Sequence, residues 1–293
     1  MTTNSVIHNI GFRHYDGPRL GRGWAFRSLL LETLRGAYGL GRPAKVKIMP
    51  WVLVGLITIP ALVIVAVVIL TKQESLPLSY TSYPIAMYLL VSLFLAGRAP
   101  YAVSRDLRDG IMPLYLSRPI KRTDYVYAKF LGLALAVWIY LAAPITVLLI
   151  GALLAKFSVG HELLAWLGGM FMAAVLACLV SSIALVLASF TKRRGLGVAA
   201  VLATLVLLNG FANILIAVVR MQSSESSGAL FAVLDPYLLV DALGAAWLGV
   251  VPLNGTVQTD SVLATGVFTV ALVVIVAGML GILLRRFRKV GGV

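Results

Sequence analysis

Few residues in this chain are of a kind that does chemistry, and their spacing excludes most reactions. The three histidines, His8, His14 and His161, fall outside every apolar stretch. An intramembrane metalloprotease would need His and Glu ligands inside the membrane. Cys178 is the single cysteine, so no disulfide forms within the chain, and it reads as a small buried apolar residue. The nearest approach to a phosphate loop is GLGRPAKVK at 39–47. It lacks a Gly directly before the Lys, a Ser or Thr after it, and a preceding strand. Energy for any uphill movement must therefore come from another chain, and no cofactor site is expected here. Two uncharged polar residues stand out. Asn209 and Asn213 are four apart and share one helix face. They fit either interhelical bonds worth about 1 kcal/mol each or a polar strip along a path or a dimer seam. Asp235, Pro236 and Asp241 interrupt an apolar segment and are candidates for an outer gate. Arg105, Asp106, Arg108, Asp109 and Gly110 form a dense mixed-charge run.

These residues must be positioned by membrane helices. Hydrophobic residues make up 60% of the chain and charged residues 12%, with a mean hydropathy of +0.96. That is too little charge to coat a soluble globule. Crossing the hydrocarbon takes roughly 20 apolar residues in a helix. Six stretches qualify, near 51–70, 84–103, 130–155, 163–190, 197–219 and 262–284. The apolar runs are continuous rather than alternating, which favours helices over a barrel. Their cores contain no Asp, Glu, Lys or His, and Arg98 sits near the edge of the second. An intramembrane ionisable residue usually marks a proton relay or ion-coupled site, so a proton- or sodium-driven carrier is disfavoured.

The basic residues set the orientation. All but Lys72, Lys156 and Arg220 of the 25 Lys and Arg fall in the N-terminal tail, the loops after spans two and four, or the C-terminal tail. Cytoplasmic loops carry the excess of Lys and Arg, which places both termini in the cytoplasm. The net charge of +14 is then explained by anionic headgroups and requires no nucleic acid. The expected organisation is a basic tail at 1–50 followed by a transmembrane domain at 51–293.

Three segments lie outside the spans. Residues 23–40 repeat Phe26, Leu30, Leu34 and Ala37 or Tyr38 at helical spacing. They predict an interfacial amphipathic helix, with packing on the protein's own face as the alternative. Residues 104–122 place Leu107, Ile111, Leu114 and Tyr115 on one face, and Arg105, Asp106, Arg108 and Asp109 on the other. They predict a short amphipathic helix that Pro119 ends. A topology anchor needs only basic residues, so the interleaved Asp points to a protein partner. Residues 220–261 predict a re-entrant or capping segment, or an ordinary outer loop. Asn254-Gly-Thr256 fits a glycosylation acceptor, a short pattern that arises often by chance.

Residues 105–133, RDLRDGIMPLYLSRPIKRTDYVYAKFLGL, resemble permeases of the type-two exporter family of ATP-binding-cassette (ABC) transporters. The resemblance is carried by the charged turn Arg105 to Asp109, Gly110, the apolar Leu114 to Leu116 and the Ser117-Arg118-Pro119 turn. Arg122 to Tyr125 and Lys129 continue it. The family often has Glu in the charged turn, where this chain has Asp106 and Asp109. A flat N-terminal helix, six spans and a broken segment before the last span extend the likeness over nearly the whole chain. The tail IHNIGFRHYDGPRLGRG resembles those of bacterial permeases of this kind. The resemblance implies an all-α polytopic subunit in the cell membrane that is not itself an enzyme. It would form the translocation path in a dimer with a second copy or a paralogous permease. Two separate ATPase subunits would carry ATP and Mg. The loop between spans two and three, with Arg105, Asp106, Arg108, Asp109, Gly110, Arg118, Pro119 and Arg122, would be the coupling helix. The alternative is a membrane scaffold or regulatory subunit that binds a cytoplasmic partner and moves no solute.

Overall fold

A computed structural model describes residues 17, 20–110, 115, 120–191, 193–222, 228–253 and 262–290. Within them the chain is helical, with no strand. The helices are α1 (Arg22–Ala37), α2 (Ala44–Thr71), α3 (Ser82–Ala86), α4 (Tyr88–Arg108), α5 (Arg122–Leu154), α6 (Val159–Phe190), α7 (Arg194–Gln222), α8 (Pro236–Leu248) and α9 (Val262–Val290). A 3₁₀ turn, Gly228–Leu234, precedes α8.

Five of these, α2, α5, α6, α7 and α9, are long and apolar enough to cross a membrane. With α4 they make a polytopic α-helical membrane protein. The stretch expected at 84–103 is divided: Pro84 belongs to α3, and α4 starts after Met87. At 21 residues α4 is long enough to span, but Arg98, Arg105, Asp106 and Arg108 lower its apolar character. The other helices run past the expected limits because their polar ends stay helical. Examples are Arg122 to Lys129 in α5 and Arg285 to Val290 in α9.

The core lies where α4, α5 and α6 meet. Phe94 stacks on Tyr140 with centroids 4.5 Å apart and planes 12° apart. Buried tyrosine hydroxyls end on backbone oxygens, as polar groups away from water must. The Tyr140 hydroxyl donates to Leu53 O at 3.2 Å and that of Tyr38 to Ala136 O at 2.7 Å. Small residues set the closest approaches: a Cβ on Gly151 would run into Val65, and one on Gly197 into Pro100.

Helix α1 packs on α5. Its buried residues are Leu29, Thr33, Gly36 and Ala37, a face rotated by about one residue from the stripe expected at Phe26, Leu30 and Leu34. Those three are half-buried beside the core. The rotation follows from Gly132 of α5, where a Cβ would lie 2.7 Å from Thr33 Cβ and 2.9 Å from Leu30 O. Only a glycine lets the two backbones come this close. Trp24 and Leu31 remain exposed on the other side of α1.

Candidate functional site

At the end of the bundle that carries α1, the charged run begins inside α4. Arg105 to Arg108 form the last turn of that helix, and Asp109 caps it. Gly110 follows at φ +62°, a left-handed conformation that glycine adopts without strain and that stops the helix. Arg118, Pro119 and the 111–114 and 116–119 portions of the predicted coupling helix lie outside the described residues, as do Asn254 to Thr256.

The structure separates two aspartates that the sequence placed on one free face. Asp106 is 5% exposed. Its Oδ2 lies 3.0 Å from Lys129 Nζ and accepts a 2.7 Å hydrogen bond from the Tyr125 hydroxyl. Lys129, also buried, lies 5.6 Å from the Tyr125 ring centroid and 6.0 Å from that of Tyr115. Tyr125 packs against Phe287 of α9 at 5.2 Å. Asp106 is thus the anionic half of an internal latch joining α4, α5 and α9, and not part of a free charged face. It turns inward because a helical residue three positions from Asp109 need not share its exposure, and Lys129 of α5 offers a buried partner.

Asp109, by contrast, is exposed and paired with Arg108 Nε at 2.9 Å and Arg105 Nε at 3.5 Å. The hydrogen bond from Arg108, with the charge of both arginines, holds its carboxyl below the usual range. Arg105 and Arg108 are themselves solvent-facing at the α4 corner. Across the gap Arg122 donates to Arg288 O at 2.8 Å. Arg22 of α1 meets Asp124 in a two-pronged pair at 2.6 Å for each bond. Asp124 also accepts from Lys121 N at 3.0 Å, closing the first turn of α5.

Two cavities flank Arg98 at this end. One, of about 210 Å³, includes Glu32, Arg98, Asp106 and Lys129 in its wall. The other, of about 510 Å³, opens between the ends of α2, α4 and α7. Arg98 itself is buried, deeper than its expected place at the edge of a span.

At the opposite end the polar residues bond to one another. Asp235 is the N-cap of α8, accepting from Leu238 N at 2.9 Å, with Pro236 in the first turn. Asn209 Nδ2 donates to the same carboxylate at 2.9 Å, and Asn213 Nδ2 donates to Asn209 O at 2.8 Å. Asp241 accepts from Leu253 N at 2.9 Å. Burial pushes both carboxyls up, to about 6. Ser92 and the fully buried Tyr237 share a 2.8 Å hydrogen bond. Asn209, Asp235 and Pro236 therefore come together, whereas Asp241 is held separately. Among the described residues no three His, Cys, Asp or Glu side chains could hold a metal ion.

The family described as ABC-2 family transporter protein matches residues 98–291, from the second half of α4 to the end of α9. The chain belongs to this ABC-2 family. It is accordingly a multi-pass membrane protein and a permease-type component of a transport system, and the family typically works with ABC ATPase subunits. No curated protein matches it. The matched region contains the α4–α5 corner, the Asp106–Lys129 pair and the Asn209–Asp235 contact, and leaves out α1 to α3. Sequence reasoning missed Lys129 as the partner of Asp106 and Arg22 as the partner of Asp124. The sequence set Asp106 within the charged run and Lys129 apart from it, with no signal that pairs the two.

Proposed function

We propose that the chain is the membrane-spanning half of an ATP-driven exporter. It pairs with a second copy or a paralogous permease and is powered by two ABC ATPase subunits. In this reading α4 is the second of six spans, both termini face the cytoplasm, and the protein resides in a bacterial cell membrane. The observation that supports coupling most directly is the α4–α5 corner. The buried Asp106–Lys129–Tyr125 latch ties both helices together just behind exposed Arg105, Arg108 and Asp109. A push on the exposed groups would reach two spans at once. Arg118, Pro119 and Arg122 complete the proposed contact.

The test uses Asp109→Lys with Arg108→Glu, and leaves Asp106 intact because its carboxylate serves the latch. Co-purified ATPase per permease and ATP hydrolysis in proteoliposomes should both fall, while the permease stays folded. Wild-type values for both would remove the coupling role. For orientation, cysteines at 194 and 72 are labelled in intact cells with an impermeant reagent. Position 72 should react and 194 should not.

At the other end we assign the Asn209–Asp235 contact to a closed outer gate, with Pro236 and Asp241 shaping the α8 segment. Asn209→Leu with Asn213→Leu should impair export in a protein that still folds. Normal export by the stable double variant would leave these residues as packing contacts alone.

A further inference from the structure

Arg98 is a buried cation without a counter-ion. It is 3% exposed, and its Nε meets no hydrogen-bond partner. Among the described residues it forms no ion pair. The charged side chain that acts on it most strongly is another cation, Arg194. An isolated buried charge is costly enough that such groups are ordinarily paired. Here the surroundings make the imbalance larger. The cavity of about 510 Å³ that Arg98 lines also has Arg42, Lys45, Arg105, Arg108 and Arg194 in its wall, and Asp109 is its one carboxylate among the described residues. Asp109 is already matched by Arg105 and Arg108. Arg42 lies over the Tyr101 ring at 4.7 Å. Among the described residues Lys45, Arg98 and Arg194 form no ion pair, and Glu32 shares only the smaller cavity with Arg98. Helix α7 begins at Arg194, so the partial positive charge of a helix N-terminus adds to the same region.

The position of the cavity indicates which anion it takes. It lies towards the ends of α2, α4 and α7, the ends that the bias of basic residues assigns to the cytoplasmic headgroups. Beside its mouth α2 exposes Ile48, Met49, Trp51 and Val52, an apolar flank against which acyl chains can lie. A free soluble anion has no use for that flank. Guanidinium groups match phosphate oxygens in a planar, two-pronged way, and basic pockets between membrane helices bind lipid headgroups. We propose that this cavity binds the phosphate group of an anionic membrane lipid, with Arg98 as its buried anchor and Arg42, Lys45 and Arg194 around it. The proposal does not depend on the coupling role of the α4–α5 corner.

The test uses the full-length chain purified in neutral detergent. Bound lipid is counted by native mass spectrometry, and thermal unfolding is followed in parallel. The probes are phosphatidylglycerol, phosphatidylcholine and inorganic phosphate. The wild-type chain should retain phosphatidylglycerol that neither of the other two displaces, and its unfolding temperature should rise with that lipid. Loss of a charge-assisted contact of this kind is worth about tenfold in affinity or more, so Arg98→Gln should weaken retention by about that factor. Lys45→Gln with Arg194→Gln changes two exposed positions, leaves the core untouched, and should weaken retention as well. Arg35→Gln removes an exposed cation outside this cavity and should change nothing. If Arg98→Gln does not fold, the contrast between the double variant and Arg35→Gln decides. Equal retention by all forms would overturn the site, and so would an equal loss in Arg35→Gln, which would mean diffuse surface attraction. Displacement of the lipid by inorganic phosphate alone would overturn the lipid as occupant in favour of free phosphate.

Discussion

At the α7–α8 corner Asn209 and Leu238 both donate to Asp235 Oδ2, Asn213 donates to Asn209, Ser92 meets Tyr237, and Asp241 meets Leu253, while Asp235 Oδ1 is buried without a partner. At the opposite end of the bundle Lys45, Arg98 and Arg194 line a cavity whose one described carboxylate, Asp109, is already paired with Arg105 and Arg108. Asp235 is held by neutral donors, and burial raises its carboxyl to about 6. Asp106 sits 3.0 Å from an ammonium. The first end is joined by hydrogen bonds within one chain and leaves only Asp235 Oδ1 over, while the second is paired only at Asp106, Asp109 and Asp124. For a membrane protein the difference separates a region whose polar groups hold the fold from one whose polar groups await something else.

The largest expected effect breaks the second end from inside. Lys129→Met leaves the Asp106 carboxylate buried and unpaired, which costs about 3–5 kcal/mol. The measurement is thermal unfolding in detergent. Adding Asp106→Leu should recover most of the loss, because an apolar pair of similar volume replaces a desolvated one. A double variant as unstable as the single one would show that the latch is not an isolated ion pair.

The next effect belongs to the self-contained end and appears as pH dependence. The folded carboxyls of Asp235 and Asp241 titrate near 6, against an ordinary value of 3.8. Folding therefore favours their protonated forms. Their contribution is fully present below about pH 4 and is lost as pH rises through about 6. A shift of this size is worth on the order of 3 kcal/mol per group. Stability measured from pH 4 to pH 7 should fall, and Asp235→Asn with Asp241→Asn should flatten that slope. A slope unchanged in the double variant would place its origin elsewhere.

Smaller still is Gly132→Ala. The added carbon meets Thr33 and Leu30 O, and overpacking of this kind costs about 1–3 kcal/mol. Protease cleavage between α1 and α2 should accelerate. Smallest is Arg22→Ala. Its pair with Asp124 is short but lies at the surface, so unfolding should change little and the remaining difference should vanish in high salt.

The helical membrane class was legible because an apolar run of membrane length has few alternatives, and α2, α5, α6, α7 and α9 all fall on such runs. The break at Gly110 was not legible, because the apolar spacing of Leu107, Ile111, Leu114 and Tyr115 predicts one helix through it, whereas α4 ends at Arg108 and Gly110 takes a left-handed conformation. Helix ends were not, since Arg122 to Lys129 and Arg285 to Val290 stay helical through tertiary contacts such as Arg122 to Arg288 O and Tyr125 to Phe287. The sequence grouped Asp106 with Asp109 by proximity, and only the packing of α5 on α4 reveals that one faces inward. It likewise offered Asn209 and Asn213 as a pair on one face, but the contact with Asp235 lies 26 residues away along the chain.

Helix α9 is the least embedded of the five long apolar helices, with 11% of its most apolar stretch buried. It also follows the other four in chain order. Its fully buried aromatics, Phe268 and Phe287, sit near its two ends, and the middle of the helix presents Val270, Val273 and Val274 outward. Helix α9 therefore adds to a bundle whose Phe94–Tyr140 core is built entirely by α4 and α5. Its arrival resembles the closing of a clasp, with Phe287 seating under Tyr125 as the final step. The α4–α5 corner is in this way completed from far along the chain, because Tyr125 gains Phe287 as a neighbour only from α9.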